Sequence, residues 1–138
     1  MIKSFRGLLA DEGQDTIRQS TNNGLTGYKI KKFELFPAQQ DSTKDSLVCL
    51  HSTKPDSATT SANFDSPTLL AAAVLFNGTY EVQNIVVFDN VKFNQDVFVT
   101  HVDSIGSNAM NFYLELERVK LNLDEATVAT LKDMRGRE

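Results

Sequence analysis

The stretch NIVVFDNVKFNQDVFVTHV, residues 84–102, decides the fold class of this chain. It contains two runs of β-branched and aromatic residues, 85–88 and 97–102, separated by a polar connection. Such runs, bounded by Asn and Asp, predict two strands and the loop that joins them. In the second run both alternating faces are largely apolar, as in a strand that is covered on both sides. We therefore expect this pair of strands to lie at the centre of a β core.

Strand patterns continue on both sides of this pair. Residues 110–120 alternate strictly, with Met, Phe, Leu and Leu on the inward face and polar residues between them. Residues 27–37 also alternate, but the phase breaks at Lys31-Lys32, where a β-bulge would restore it. A first strand is expected over residues 1–9, with Gly7 suggesting a bulge. Shorter strands are predicted near residues 16–20, 46–52 and 68–76.

Length and composition predict one soluble domain over residues 1–138. The net charge of −4 argues against a general affinity for nucleic acid. The longest apolar run, residues 69–76, is far shorter than the ~20 residues of a membrane helix, and the N-terminus does not have the pattern of a signal peptide. Cys49 is the single cysteine, so no internal disulfide is expected. These features favour a cytoplasm, or a particle assembled there.

Two further segments predict contacts with a partner. Residues 53–67 are rich in Ser, Thr, Ala and Pro, and loops of this length in compact domains tend to be functional arms. Residues 124–135 predict a short C-terminal helix, with an N-capping aspartate and a narrow apolar stripe. A helix of about three turns is marginal alone in water, so it is expected to dock on its own domain or on a neighbour. The candidate interface residues are Lys54, Pro55, Phe64, Leu131, Met134 and Arg135.

Candidate metal ligands are few and weak. Cys49 and His51 share one strand face, and His101 with Asp103 repeats that spacing on another strand, so four ligands could converge. No C-x-x-C or H-x-x-x-H spacing supports such a site, and the prediction is that no metal is bound. The connection at 89–96 carries oxygen ligands for calcium, but it lacks the glycine and the glutamate of the helix-loop-helix calcium motif. Side-chain turn bonds explain its Asp and Asn residues better.

No catalytic signature is present in the sequence. Glu115 and Glu117 resemble a glycosidase pair only superficially, because neighbours on one strand face project side by side and not across a cleft. A serine elbow, a phosphate-binding glycine loop and a Cys/His nucleophile pair are all missing. The sequence therefore predicts a protein without enzymatic activity, catalytic residues or cofactor.

Four segments together resemble a group of small virion structural proteins of marine tailed bacteriophages: MIKSFRGLLADEGQDTI at 1–17, GYKIKKFELFP at 27–37, FDNVKFNQDVFVTHVD at 88–103 and NFYLELERVKLNLDEA at 111–126. The similarity covers most of the chain and is weakest over residues 37–68. It implies a head-associated protein, present in many copies, that decorates or cements a capsid shell. The partners that it implies are the major capsid protein and neighbouring copies of the same chain, in a virion assembled in the host cytoplasm.

The sequence thus predicts a mainly β, single-domain antiparallel sandwich or jelly roll of about seven or eight strands with a short C-terminal helix. The expected function is capsid decoration or cementing, without nucleic-acid or membrane binding. One alternative is a receptor- or glycan-binding module that uses Tyr80, Tyr113 and the loop at 103–109. A second alternative is a small metal-dependent enzyme built on His51, His101 and Asp103.

Overall fold

The computed structural model describes residues 2–18, 25–38, 44–55, 57, 61–66, 68–77, 82–104 and 108–122. Over these residues the protein is mainly β, and they contain no helix, so none of them forms a helix able to cross a membrane. The predicted C-terminal helix at 124–135 lies outside the described residues. The strands are β1 (Ile2–Leu9), β2 (Gln14–Ile17), β3 (Thr26–Pro37), β4 (Lys44–His51), β5 (Leu69–Asn77), β6 (Val82–Phe88), β7 (Val97–Asp103) and β8 (Met110–Lys120).

The strands form two antiparallel sheets. One has three strands in the order β1-β8-β3, and the other has five in the order β2-β7-β4-β5-β6. In the larger sheet β4, β5 and β6 are consecutive neighbours, and β7 returns to lie beside β4. This is the spatial order of a Greek key, which most β-sandwiches contain. The two-sheet arrangement is compatible with the predicted sandwich.

Strand β8 organises the smaller sheet because its side chains alternate without interruption. Met110, Phe112, Leu114 and Leu116 are buried, whereas the residues between them are partly exposed. Strands β1 and β3 pair with its two edges, so β8 lies at the centre of its sheet. Each fully buried apolar side chain of this kind stabilises the fold by about 1.5–3 kcal/mol relative to an exposed one. The alternation predicted from the sequence is confirmed.

Strand β3 contains the bulge predicted at the lysine pair. Its register with β8 shifts between Ile30 and Lys32, so Lys31 is the extra residue. Without that residue Phe33 would point to solvent, because side chains alternate between the two faces of a strand. With it, Ile30 and Phe33 both lie in the core.

The core forms where the two sheets face each other. The larger sheet contributes the face that carries Val48, Leu50, Ala73, Val97 and Val99, all fully buried. The polar connection before β7 is tied to the smaller sheet, because Phe93 and Tyr28 exchange two backbone hydrogen bonds of 2.7 and 2.9 Å. The centroids of the Tyr28 and Phe93 rings lie 6.5 Å apart. This contact holds the loop against both sheets.

Two expectations were wrong. The strands of the stretch at 84–102 do not both lie at the centre, since β7 is interior but β6 is the edge strand of the larger sheet. An edge strand and an interior strand can carry the same apolar residues, so composition did not separate them. Gly7 does not mark a bulge, because β1 pairs with β8 in continuous register. A Cβ at Gly7 would lie 2.8 Å from Cε1 of Phe112, so the glycine makes room for that ring.

Candidate binding surface

The outward face of the three-stranded sheet carries a group of six side chains, which we call the outer patch. Pairing places Leu8, Asn111 and Phe36 in one row across β1, β8 and β3. The next row consists of Arg6, Tyr113 and Glu34. Residues that pair directly across antiparallel strands point to the same side of the sheet. All six therefore face away from the core, which holds Phe112 and Leu114 between them on the other side.

The outer patch exposes large apolar side chains on a rigid support. Phe36 is 70% exposed and Leu8 is 60% exposed. The six residues line a shallow depression of about 540 Å³, with Asn111 and Tyr113 at its centre. Large exposed apolar groups framed by polar ones mark binding sites more often than ordinary surface. The patch is therefore a candidate contact surface.

Two acidic residues, Glu115 and Glu117, continue this outward face along β8. The Tyr113 hydroxyl donates a hydrogen bond of 2.8 Å to Glu115 Oε1. That bond to a carboxylate is the main cause that raises the pKa of Tyr113. Glu117 lies 3.7 Å from Lys29 Nζ and 3.9 Å from Lys31 Nζ. Glu115 and Glu117 are thus engaged with neighbours on one strand face, as the sequence predicts.

The candidate metal ligands are divided between two faces of one sheet. Cys49 pairs with Thr100 and His51 with Phe98, whereas His101 pairs with Val48, so the two predicted ligand pairs point in opposite directions. Burial lowers the pKa of His51. Among the described residues no group of three His, Cys, Asp or Glu is placed to hold a metal ion. The four side chains therefore do not converge on one site.

His101 and Asp103 instead hold together one end of the core. The His101 ring donates from Nδ1 to the carbonyl oxygen of Ala10 at 3.0 Å. Asp103 accepts hydrogen bonds from the backbone N–H groups of Asp45 (3.1 Å) and Asn108 (2.6 Å), and its own N–H donates to Asp11 Oδ1 (2.7 Å). Because buried polar groups need partners, these bonds explain Asp103 and the Nδ1 atom of His101 structurally, whereas the buried Nε2 atom of His101 has no hydrogen-bond partner among the described residues.

The connection at 89–96 also has a structural explanation. Asp89 Oδ1 accepts a hydrogen bond of 3.0 Å from the backbone N–H of Val91, which is a side-chain turn bond of the predicted kind. Phe93 and Asn94 are buried, so the loop does not direct its oxygen-bearing side chains to one point in solvent.

The predicted partner residues have different outcomes. Phe64 is 65% exposed, Lys54 is exposed and Pro55 is half-buried, so all three lie at or near the surface. Leu131, Met134 and Arg135 lie outside the described residues, as do Tyr80 and residues 105–107 of the alternative contact loop. Tyr113 belongs to the outer patch.

Leu8 and Phe36 were not predicted as contact residues. Each is adjacent to a core residue, Leu9 and Leu35 respectively, and both pairs look equally apolar in the sequence. The signal that could have separated them is phase, because once the bulge at Lys31 is accepted, Phe36 must face outward. In the same way, Leu9 points into the core, so its neighbour Leu8 must face outward.

Comparison with known proteins adds no family to these observations. No family model matches the chain, and none of the curated proteins matches it either.

Proposed function

We propose that this protein is a virion structural component that acts by binding other protein surfaces, as a decoration or cement protein of a capsid shell. The virion setting rests on the sequence resemblance, which also suggests the major capsid protein as the partner and assembly in the host cytoplasm. The fold adds a rigid two-sheet scaffold with an exposed apolar patch. In this proposal the protein catalyses no reaction and needs no cofactor.

The observation that carries the proposal is the row formed by Leu8, Asn111 and Phe36. Two side chains that are 60% and 70% exposed stand on a sheet whose opposite face is packed into the core. Covering such residues removes apolar surface from water at about 25 cal/mol per Å². The sheet is already ordered, so a partner gains this burial without the cost of ordering a loop.

The proposal extends to segments beyond the described residues. A jelly-roll arrangement and a helix over residues 124–135 would complete the predicted fold. The apolar stripe formed by Val128, Leu131 and Met134 would then provide a second surface for a neighbouring subunit. The exposed Lys54 and Phe64 of the arm are suited to the same role.

The test uses purified particles from which the protein has been stripped. Adding back the full chain is expected to restore resistance of the shell to heat, and Leu8→Ser with Phe36→Ser is expected to weaken shell binding at least tenfold. Leu25→Ser is the matched control, because Leu25 is 37% exposed and lies just before β3, at the opposite end of that strand from Phe36. Stripped shells that resist heat as well as intact ones would contradict the proposal.

A second candidate function is a glycan- or receptor-binding module on the virion. It is favoured by the chemistry of the depression, where Tyr113 and Phe36 offer ring faces and Arg6, Glu34 and Asn111 offer hydrogen-bonding groups. Isolated protein that binds sugars on a glycan array, and that loses this binding on Tyr113→Ala, would favour it. Shell binding without any sugar binding would favour cementing.

A further inference from the structure

Four strands lie at sheet edges: β1 and β3 in the smaller sheet, and β2 and β6 in the larger one. The outward side of an edge strand presents N–H and C=O groups that can pair with another chain, and native proteins usually block this pairing. Among the described residues, no strand pairs with the outer edge of β6. Its residues 83, 84, 85, 87 and 88 are all exposed.

The other three edges carry features that oppose pairing. β3 has the bulge at Lys31 together with the charges of Lys29, Lys32 and Glu34. β1 carries Lys3 and Arg6, and β2 is only four residues long. Bulges, charges and shortness are the devices that keep edges from joining.

β6 has none of these devices. Its sequence VQNIVVF contains no charge and no proline, and it pairs with β5 without a register shift over all seven residues. Ile85 is 57% exposed and Val87 is 46% exposed on the face turned away from the core. A short segment of high β-propensity and no charge on an edge is a template for strand pairing.

We propose that β6 is the self-association strand of this protein and pairs antiparallel with β6 of a second copy, with Ile85 at the two-fold axis. Charge disfavours self-pairing of the other two long edge strands. Two copies of β3 or of β1 would bring lysines and arginines together, whereas two copies of β6 oppose only uncharged side chains within the seven-residue strand. The pairing would join two five-stranded sheets into one continuous sheet, and it would bring Ile85 of each copy into side-by-side contact with Ile85 of the other.

The proposal holds whether or not the protein is part of a virion. A single pair of seven-residue strands buries less than the ~1,200 Å² of a typical stable interface, so the isolated dimer is expected to be weak. On a surface that carries many copies, weak contacts of this kind act together, because a tethered second contact forms at a high effective concentration. The β6 pairing would then link neighbouring copies of the chain that the outer patch already holds on that surface.

The test is sedimentation of the full chain over a range of concentrations. The unchanged protein is expected to dimerise reversibly, and Ile85→Lys is expected to weaken dimerisation at least tenfold. Leu25→Lys is the matched control, since it places the same charge at an exposed apolar residue outside both β6 and the outer patch and is expected to leave dimerisation unchanged. A protein that stays monomeric at all concentrations, or equal weakening by both variants, would overturn the proposal.

Cross-linking gives an independent measurement that does not depend on adding a charge. In a Cys49→Ala background, Ile85→Cys is expected to form a disulfide-linked dimer on mild oxidation, because residues at the two-fold axis oppose each other directly. Leu25→Cys in the same background, at an exposed residue outside β6 and the outer patch, is expected to link much more slowly. Equal rates for the two variants would overturn the proposed register and the strand pairing with it. Binding to shells is measured in a separate experiment. A protein that does not cement shells could therefore still be tested for dimerisation through β6.

Discussion

Strands β6 and β7 each contain three valines and one phenylalanine and lie in the same sheet, but their environments differ. Val99 of β7 is fully buried, whereas Val87 of β6 is 46% exposed. β7 lies between β2 and β4, whereas among the described strands β6 pairs with β5 alone. Two of the β7 residues that face away from the core are also buried, Thr100 at 3% and Val102 at 8% exposure. Position in the sheet, and not composition, decides what each strand can do.

The comparison separates a structural role from a binding role. A strand that is covered on both faces and both edges contributes to folding and is not accessible to a partner. A strand that is uncovered on one face and one edge contributes less to folding, but its apolar surface and backbone groups remain available to another chain. Substitutions at matched positions of the two strands can measure this difference.

The largest expected effect comes from placing a charge on each strand. Val99→Asp would bury a carboxylate without a partner and is expected to cost more than about 4 kcal/mol of unfolding free energy, enough to unfold most of the protein. Val87→Asp puts the same group into solvent and is expected to cost less than about 1 kcal/mol. Denaturant unfolding followed by circular dichroism measures both values. Equal costs would show that β6 is covered as fully as β7.

A smaller effect concerns Cys49, which lies on the outward face of β4 beside β7. It is 2% exposed, and burial raises the pKa of its thiol to about 11 from an ordinary value of 9.0. The unfolded thiol ionises at lower pH than the folded one. The contribution of the buried thiol to the unfolding free energy is therefore complete below pH 9. It is lost as the pH rises towards 11, and the total loss is about 2–3 kcal/mol. Cys49→Ala is expected to lack this part of the pH dependence of stability.

Thiol labelling near neutral pH tests the same difference between covered and open positions. In the Cys49→Ala background, Ile85→Cys is expected to react at least about 100-fold faster than Cys49 does in the unchanged protein, because it is exposed and ionises more readily. Rapid labelling of Cys49 would contradict the burial of this face. Labelling of Cys49 after unfolding provides the control for its intrinsic reactivity.

The smallest expected effect on stability concerns the charged edge of β3. Lys31 lies 3.9 Å from Glu117, and Lys32 lies 3.3 Å from Glu34, with all four side chains substantially exposed. Lys31→Thr with Lys32→Thr is expected to change the unfolding free energy by less than about 1 kcal/mol, because exposed ion pairs contribute little. The same variant is expected to self-associate through the edge of β3. Adding Ile85→Lys to it is not expected to abolish this association. Lys54→Thr with Lys120→Thr, which removes the same charge elsewhere, should gain none.

Much of the fold could be predicted from local pattern. The alternation of β8 and the phase shift of β3 at Lys31 are both visible in the sequence, because each depends on neighbouring residues and on the two-residue period of a strand. The buried state of both faces of β7 was also predictable, since its two alternating sets are apolar. These predictions are confirmed by the register and burial of the strands.

Sheet order could not be predicted in the same way. Whether β6 is an edge or an interior strand depends on pairing between distant segments, and its residues suit both positions. The candidate site was missed for a related reason. Leu8 and Phe36 form one row only because β1 and β3 both pair with β8, and the row does not exist in the sequence of either strand.

Backbone amide hydrogen exchange, resolved by residue and measured at low and high protein concentration, tests the central claim most directly. We predict that the amides of β7 exchange slowly at both concentrations, whereas the edge-facing amides of β6 exchange rapidly in dilute protein and become protected in concentrated protein. Protection of β6 that is independent of concentration, or its absence at every concentration, would contradict the claim that β6 is the open edge through which this protein binds its own copies.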